Sequence, residues 1–229
     1  MKILNPGNED YHIHTITFSD GWNTVDEIVK YAGDIGLQKI ALCDHSEALL
    51  KSEGYVKKTG RFPFKRWKNV FSDVEVIFGV EADLLNASGD VCMEIDGYEG
   101  DFVLLSYHNE VFQVTSKQIA GGFLAAMKRY HDRIDCIGHV CIGLEEADAK
   151  AVILTANKYD IPLEINAKYF IRDPKIWTVL LDNAKEIYVN SDAHVLSDLR
   201  DFRNEAFKLL KKMKYMYNRL ISIQNNLNT

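Results

Sequence analysis

Short apolar segments rich in β-branched residues recur along the chain at intervals of about thirty residues, with helical patterns between them. This alternation is typical of βα units, whose strands pair in parallel. Segments such as KIALCDH and FVLLSYH are apolar almost throughout, as expected of strands covered on both faces. Strands are predicted at 11–15, 39–45, 74–84, 101–108, 134–140, 161–166 and 186–194. The pattern therefore predicts an α/β fold in which seven βα units form a closed or nearly closed barrel.

Several helix boundaries are readable in the sequence. Thr24 and Glu27 have the spacing of a capping box, and Gly36 ends the helix that follows. Asp173 before Pro174 predicts another helix start, because proline is tolerated at the first helical position. Further helices are predicted at 115–132, 144–159 and 199–225. At 229 residues the chain is expected to form a single domain, 1–229, with the last helix packed on the barrel.

Composition narrows the classes of partner. No apolar run approaches the roughly 20 residues of a membrane span, so no membrane partner is expected. A formal charge of −6 disfavours long nucleic acid. The amino-terminal residues lack the pattern of a signal peptide, and the scattered cysteines favour reduced, structural thiols; both predict a cytoplasmic protein. The oligomeric state stays open.

Metal-ligand residue types occupy the ends of most of the predicted strands. In a parallel barrel these carboxyl ends meet at one rim, and residues two apart on a strand share a face. Burying so many titratable groups together is unfavourable unless a cation stabilises them. A further histidine, His131, lies at the basic end of a helix and is read as solvated. The strand-end residues are His12, His14, His45, Glu81, His108, His139, Asp192 and His194.

This mixture of ligands indicates the chemistry. Histidines combined with carboxylates suit zinc, iron or manganese, whereas calcium and magnesium prefer oxygen ligands alone. The set exceeds the needs of one ion, so two or three divalent ions are predicted, with Glu81 able to bridge a pair. Clustered ions suit an in-line displacement at phosphorus, which predicts phosphoester hydrolysis.

The order of the motifs resembles the polymerase and histidinol phosphatase (PHP) family over residues 11–194. The resemblance implies a distorted (β/α)7 barrel with a trinuclear metal site. It adds Asp20 as a ninth ligand, at a position where family members carry His or Asp. The motifs are HIHT at 12–15, DHSE at 44–47, GVEAD at 79–83, SYH ending at His108, GHV at 138–140, EIN at 164–166 and SDAH at 191–194.

The resemblance also implies how the ligands divide. A first ion would be held by His12, His14, Glu81 and Asp192, a second by Glu81, His108 and His139, and a third by Asp20, His45 and His194. It implies that a hydroxide bridging two ions attacks phosphorus while the third ion withdraws charge from the phosphate. Asp192, His194 and His45 are predicted to be catalytic. The general acid is left open.

Phosphate needs cations besides the metals. Lys168, Arg172 and Arg200 follow the sixth and seventh predicted strands, and Arg172 is the preferred candidate because a guanidinium binds phosphate through two hydrogen bonds. A basic, aromatic loop at 51–68 follows the second strand. This loop is either a solvated segment packed on the barrel or a second source of cations.

The predicted partner is a small phosphorylated substrate, and histidinol phosphate is one specific candidate. A nuclease or nucleotidase is a second hypothesis, in which the loop at 51–68 would grip bases and backbone. A non-catalytic, metal-binding regulatory protein is a third. The complete ligand set favours an enzyme, a metal-dependent phosphoesterase.

Overall fold

The structure is a computed structural model of the chain and describes residues 1–54 and 66–215. Seven of its strands, β2, β3, β4, β8, β9, β10 and β11, pair side by side in parallel and in chain order. They correspond to the seven predicted strands, so the predicted α/β barrel is confirmed. The strands are β1 (Lys2–Ile3), β2 (Glu9–Ile13), β3 (Lys39–His45), β4 (Glu75–Leu84), β5 (Val91–Cys92), β6 (Glu94–Ile95), β7 (Tyr98–Glu99), β8 (Val103–Ser106), β9 (Cys136–Ile137), β10 (Leu163–Asn166) and β11 (Glu186–Asn190).

Helices connect most of these strands. They are α1 (Val25–Asp34), α2 (Glu47–Ser52), α3 (Ser116–Tyr130), α4 (Glu146–Lys158), α5 (Ala167–Arg172), α6 (Thr178–Asn183) and α7 (Leu196–Lys212). Between β4 and β8, a fully described stretch, short strands take the place of a helix. No helix in the described ranges has the length and apolar character that a bilayer span requires.

A local signal accounts for the start of α1, but some other helix boundaries do not follow such signals. The capping box of α1 is present, since Glu27 N donates to Thr24 Oγ1 at 3.3 Å and Thr24 N donates to Glu27 Oε2 at 2.8 Å. The helix start predicted at Asp173 is wrong: the Asp173 carboxylate accepts a hydrogen bond from Lys175 N, and α6 begins only at Thr178. The helices α2 and α5 were not predicted. The last helix, predicted at 199–225, begins at Leu196 and ends at Lys212, and the predicted positions from 216 onward lie outside the described part.

The barrel closes between its first and last parallel strands. Ile13 and Ala193 form a parallel bridge near the carboxyl ends of β2 and β11. At the other end of β11 the unpredicted β1 pairs with it, Lys2 opposite Glu186. Between these contacts the Asn5 side chain takes the place of a peptide group: its Nδ2 donates to Val189 O at 3.0 Å, and Val189 N donates to its Oδ1 at 2.8 Å.

Arg203 of α7 completes the seam between β11 and the amino-terminal segment 2–13. Its side chain is 6% exposed, and its guanidinium donates to the carbonyls of Val189 (2.9 Å), Asn5 (2.9 Å) and Gly7 (3.1 Å). Buried carbonyl groups require such partners. The amino-terminal segment is therefore tied both to the strand that precedes Asp192 and to the helix after it.

Candidate metal centre

All nine predicted ligands meet at the carboxyl end of the barrel. They reach it from the ends of β2, β3, β4, β8, β9 and β11 and from the loop after β2. A cavity of about 320 Å³ opens there. It is lined by Asp20, His45, Leu49, Glu53, Glu81, His108, Glu110, His139, Lys168, Tyr169, Asp192 and His194. His12 and His14 lie buried beneath it.

Glu81 is the central residue of the cluster. Its side chain is 1% exposed, and Oε1 lies 2.9 Å from His139 Nε2 and 3.4 Å from His108 Nε2. Oε2 lies 2.9 Å from His45 Nδ1, 3.3 Å from His12 Nε2 and 3.5 Å from His14 Nε2. Burial raises the pKa of this carboxyl, but the surrounding histidines outweigh burial and hold the pKa well below its ordinary value. Glu81 is thus a buried anion with both oxygens facing imidazole nitrogens.

Asp192 forms the second buried anion. Its Oδ1 lies 3.2 Å from His14 Nε2 and 3.6 Å from His12 Nε2. Its Oδ2 accepts hydrogen bonds from Asn166 Nδ2 at 3.0 Å and Lys168 Nζ at 3.3 Å. The backbone of Asp192 has φ of 54°, an unusual conformation for a residue with a side chain. This conformation brings the residue to the rim directly after β11.

Asp20 reaches the cluster from the loop after β2. Its Oδ1 lies 3.1 Å from His194 Nε2 and 3.4 Å from His45 Nε2. The loop folds tightly against its own strand, because a Cβ at Gly21 would lie 2.4 Å from His14 O. Glycine at 21 therefore permits the approach that places Asp20 among the histidines.

The histidines differ in their proton affinity. Burial, together with the neighbouring His45 and His194, lowers the pKa of His14 to about 3. Burial also lowers the pKa of His45, but Glu81 and Asp20 overcome it and raise the pKa to about 9. For His12, burial is outweighed by Glu164, Glu81 and Asp192, so its pKa lies well above its ordinary value. Protonation of one of these histidines therefore depends on the charges of its neighbours, so they do not titrate independently.

The donor atoms fit divalent cations. Glu81 Oε2 and His45 Nδ1 are buried without a hydrogen bond, although they lie 2.9 Å apart. His12 Nε2 and His14 Nε2 face each other at 3.1 Å, so one proton at most can lie between them. Such convergence of acceptors suits an ion bound by nitrogen and carboxylate oxygen. Three groups have donor atoms within 4.8 Å of one another: His14, Asp20, His45 and His194; His12, His14 and Glu81; and His45, Glu81 and His108.

Two further carboxylates lie behind the cluster, and no role was predicted for either. Glu164 Oε1 is 2.8 Å from His12 Nδ1, and Asp83 Oδ1 is 2.7 Å from His108 Nδ1. Both side chains are fully buried. The position of Asp83 near the cluster could be read from the sequence, because Asp83 lies two residues after Glu81 and therefore faces the same side of β4.

The predicted phosphate-binding residues lie in different surroundings. Lys168 lines the cavity. Arg172 stacks over the Tyr169 ring at 5.9 Å and is not part of the cavity lining, and Arg200 binds Asp201 at 2.7 and 2.8 Å on the surface. The structure thus brings only the first of these three to the centre. Most of the basic loop at 51–68, namely 55–65, falls outside the described residues.

Comparison with known proteins finds a matching family and two similar proteins. The model of the PHP domain family matches residues 10–224. A protein of Photobacterium profundum named "probable phosphatase" is 28% identical over 222 residues, covering 93% of this chain and 88% of its own length. Another of that name, from Caldanaerobacter subterraneus, is 28% identical over 213 residues, covering 88% and 82%.

A solved structure has the same fold. It is the histidinol phosphate phosphatase of Lactococcus lactis, complexed with zinc, L-histidinol and phosphate. The TM-score is 0.55 with 18% sequence identity, and the match covers 90% of this chain and 93% of that one.

Proposed function

The chain belongs to the PHP domain family, and from that premise we propose that it is a metal-dependent phosphatase that hydrolyses a phosphomonoester of a small metabolite. The observation that carries the proposal is the convergence of the nine candidate ligand side chains beside a cavity of about 320 Å³. The two curated relatives described above are named as phosphatases, which supports the same reaction.

The proposed ligands are those brought together at the rim, and two or three ions of zinc, manganese or iron would occupy them. His12, His14, Glu81 and Asp192 form the deep part of the set, and Asp20 with His194 the more exposed part. When bound, divalent ions lower the pKa of water and neutralise phosphate charge. As part of this set, Asp192, His194 and His45 would act through the metals.

Lys168 is the proposed phosphate contact. Its ammonium group lies beside Asp192 Oδ2 and lines the cavity, so a phosphate bound there can accept a hydrogen bond from it. Burial lowers the pKa of Lys168, but Asp192 and its other neighbours outweigh burial, so the pKa lies above its ordinary value. A lysine that holds its proton this firmly suits binding of an anion better than donation of a proton to the leaving group.

The cavity lining also bears on the substrate. Glu53 and Glu110 line it together with Lys168. Their carboxylates favour an alcohol portion that carries a positive charge and disfavour one that carries further phosphates. Histidinol phosphate, whose alcohol portion has an amino group, is therefore the first substrate to test, and nucleic-acid ends are disfavoured.

Turnover of phosphorylated metabolites tests the proposal. The purified chain is expected to release inorganic phosphate from at least one member of a panel of phosphomonoesters that includes histidinol phosphate. Asp192→Asn removes a buried anion from the ligand set and is expected to lower turnover at least a hundredfold. Asp201→Asn on the surface is the matched control and is expected to leave turnover unchanged. Undiminished turnover in Asp192→Asn would contradict the proposed centre.

A further inference from the structure

We infer that Glu164 and Asp83 are positioning residues that set the affinities of two different metal subsites, each by holding one histidine. Neither belongs to the nine proposed ligands. The inference rests on the metal-dependent function proposed above and concerns metal affinity rather than the substrate. It assigns a role to two buried carboxyl groups that the proposed reaction leaves unused.

Three donors converge on Glu164. His12 Nδ1 lies 2.8 Å from Oε1, Asn190 Nδ2 donates to Oε1 at 3.0 Å, and the backbone N of His139 donates to Oε2 at 3.0 Å. One carboxylate of β10 thereby fixes a ligand ring of β2 and the backbone of a second ligand. His139 has φ of 20°, an unfavourable conformation that its hydrogen bond to Glu164 helps to hold.

Asp83 has a similar arrangement with two donors instead of three. His108 Nδ1 lies 2.7 Å from its Oδ1, and Ser46 Oγ donates to its Oδ2 at 2.6 Å. Ser46 directly follows His45 and caps α2 through Ala48 N at 3.1 Å. The Asp83 carboxylate therefore links the His108 ring to the end of β3.

Each carboxylate fixes the form of its imidazole. A ring whose Nδ1 donates to a carboxylate keeps the lone pair of Nε2 free for a metal. His12 Nε2 lies 3.3 Å from Glu81 Oε2, and His108 Nε2 lies 3.4 Å from Glu81 Oε1. The two histidines fall in different potential ligand groups that share Glu81. Glu164 and Asp83 therefore act on histidines that face different oxygens of the Glu81 carboxylate.

The two positions differ in what they can tolerate. Asparagine at 83 can still accept from His108 through its oxygen, while its NH₂ donates to Ser46 Oγ, because a hydroxyl also accepts. Glutamine at 164 cannot satisfy all three donors, since its NH₂ must face one of them. Amide substitution should therefore be mild at 83 and severe at 164.

Metal binding to the full chain tests this assignment without reference to turnover. Two quantities are measured: zinc stoichiometry after dialysis, and zinc affinity in competition with a chromogenic chelator. The proteins compared are the wild type, Asp83→Asn, Asp83→Leu, Glu164→Gln and the double variant Glu164→Gln/Asp83→Leu. Asp135→Asn is the matched control, because Asp135 accepts from Val103 N and contacts no histidine. Thermal unfolding in excess chelator reports the folding of each metal-free variant. Glu164→Asp, which keeps the charge but withdraws the carboxylate, replaces Glu164→Gln if the latter does not fold.

We expect Asp83→Leu and Glu164→Gln each to weaken one zinc equivalent by about tenfold to a hundredfold. Asp83→Asn should recover most of the affinity that Asp83→Leu loses, and the double variant should weaken two equivalents. Unchanged affinities in both single variants would overturn the inference, as would a double variant that loses no more than either single one. Zinc binding without turnover in the wild type would contradict the proposed reaction, while the zinc affinities of the variants would still test the positioning roles of Glu164 and Asp83. A wild type that binds no zinc, manganese or iron would overturn both proposals.

Discussion

Glu81 shows how a carboxylate can be buried without disrupting a barrel. Five histidines lie within 3.5 Å of its two oxygens, so imidazole rings surround its charge. Burying a charge without such partners is strongly unfavourable. Burying this many histidines together would also be unfavourable without anions. The carboxylates of Glu81, Asp192 and Asp20 lie among them.

At the residue scale, Lys168 carries a direct prediction. Lys168→Met keeps most of the side-chain volume and removes the ammonium group that lines the cavity, so KM for a phosphomonoester should rise about tenfold or more. Steady-state kinetics provide the measurement. Arg200→Met is the control, because Arg200 binds Asp201 away from the cavity, and its KM should match that of the wild type. An unchanged KM in Lys168→Met would remove Lys168 from the proposed phosphate site.

The sequence predicts individual site residues unevenly, for physical reasons. Residues at strand ends, such as His12 and Asp192, are predictable because parallel strands end at one rim. Asp20 lies on a loop whose course depends on the tight approach at Gly21, and periodicity does not reveal such an approach. Arg172 and Arg200 follow strands in the sequence, yet Arg172 stacks over the Tyr169 ring without lining the cavity itself, and Arg200 pairs with Asp201.

At the element scale, closure of the barrel depends on side chains as well as on strand pairing. Asn5 and Arg203 supply hydrogen bonds where β1 and β2 leave a gap beside β11. A two-residue strand such as β1 carries too little pattern to be predicted. The false helix start at Asp173 has a similar cause, because the same aspartate that caps a helix also stabilises a turn.

Arg203→Met tests the seam. The substitution keeps much of the buried volume but removes the guanidinium donor from the carbonyls of Asn5, Gly7 and Val189, of which Val189 O still accepts from Asn5 Nδ2. The free energy of unfolding should fall by about 2 to 4 kcal/mol, as expected when buried polar groups lose their partners. Chemical denaturation gives the value. Arg200→Met on the same helix should change it by less than about 0.5 kcal/mol; equal effects in the two variants would contradict the role of the seam.

At the scale of the whole molecule, the barrel order could be predicted because each strand is a separate apolar run with a readable break after it. The break in the alternation could not be predicted in the same way, since short strands replace a helix between β4 and β8. The barrel order places proposed ligands from six strands around one cavity. The proposed activity thus depends on the complete barrel rather than on any one motif.

The most direct test of the central proposal is elemental analysis of the chain purified without chelator or a metal-binding tag, with phosphomonoester turnover measured on the same sample. We predict two or three equivalents of zinc, manganese or iron per chain, loss of turnover when a chelator removes them, and its return on reconstitution. A chain that binds none of these ions after reconstitution, or whose turnover is unaffected by their removal, would contradict the proposed metal-dependent function.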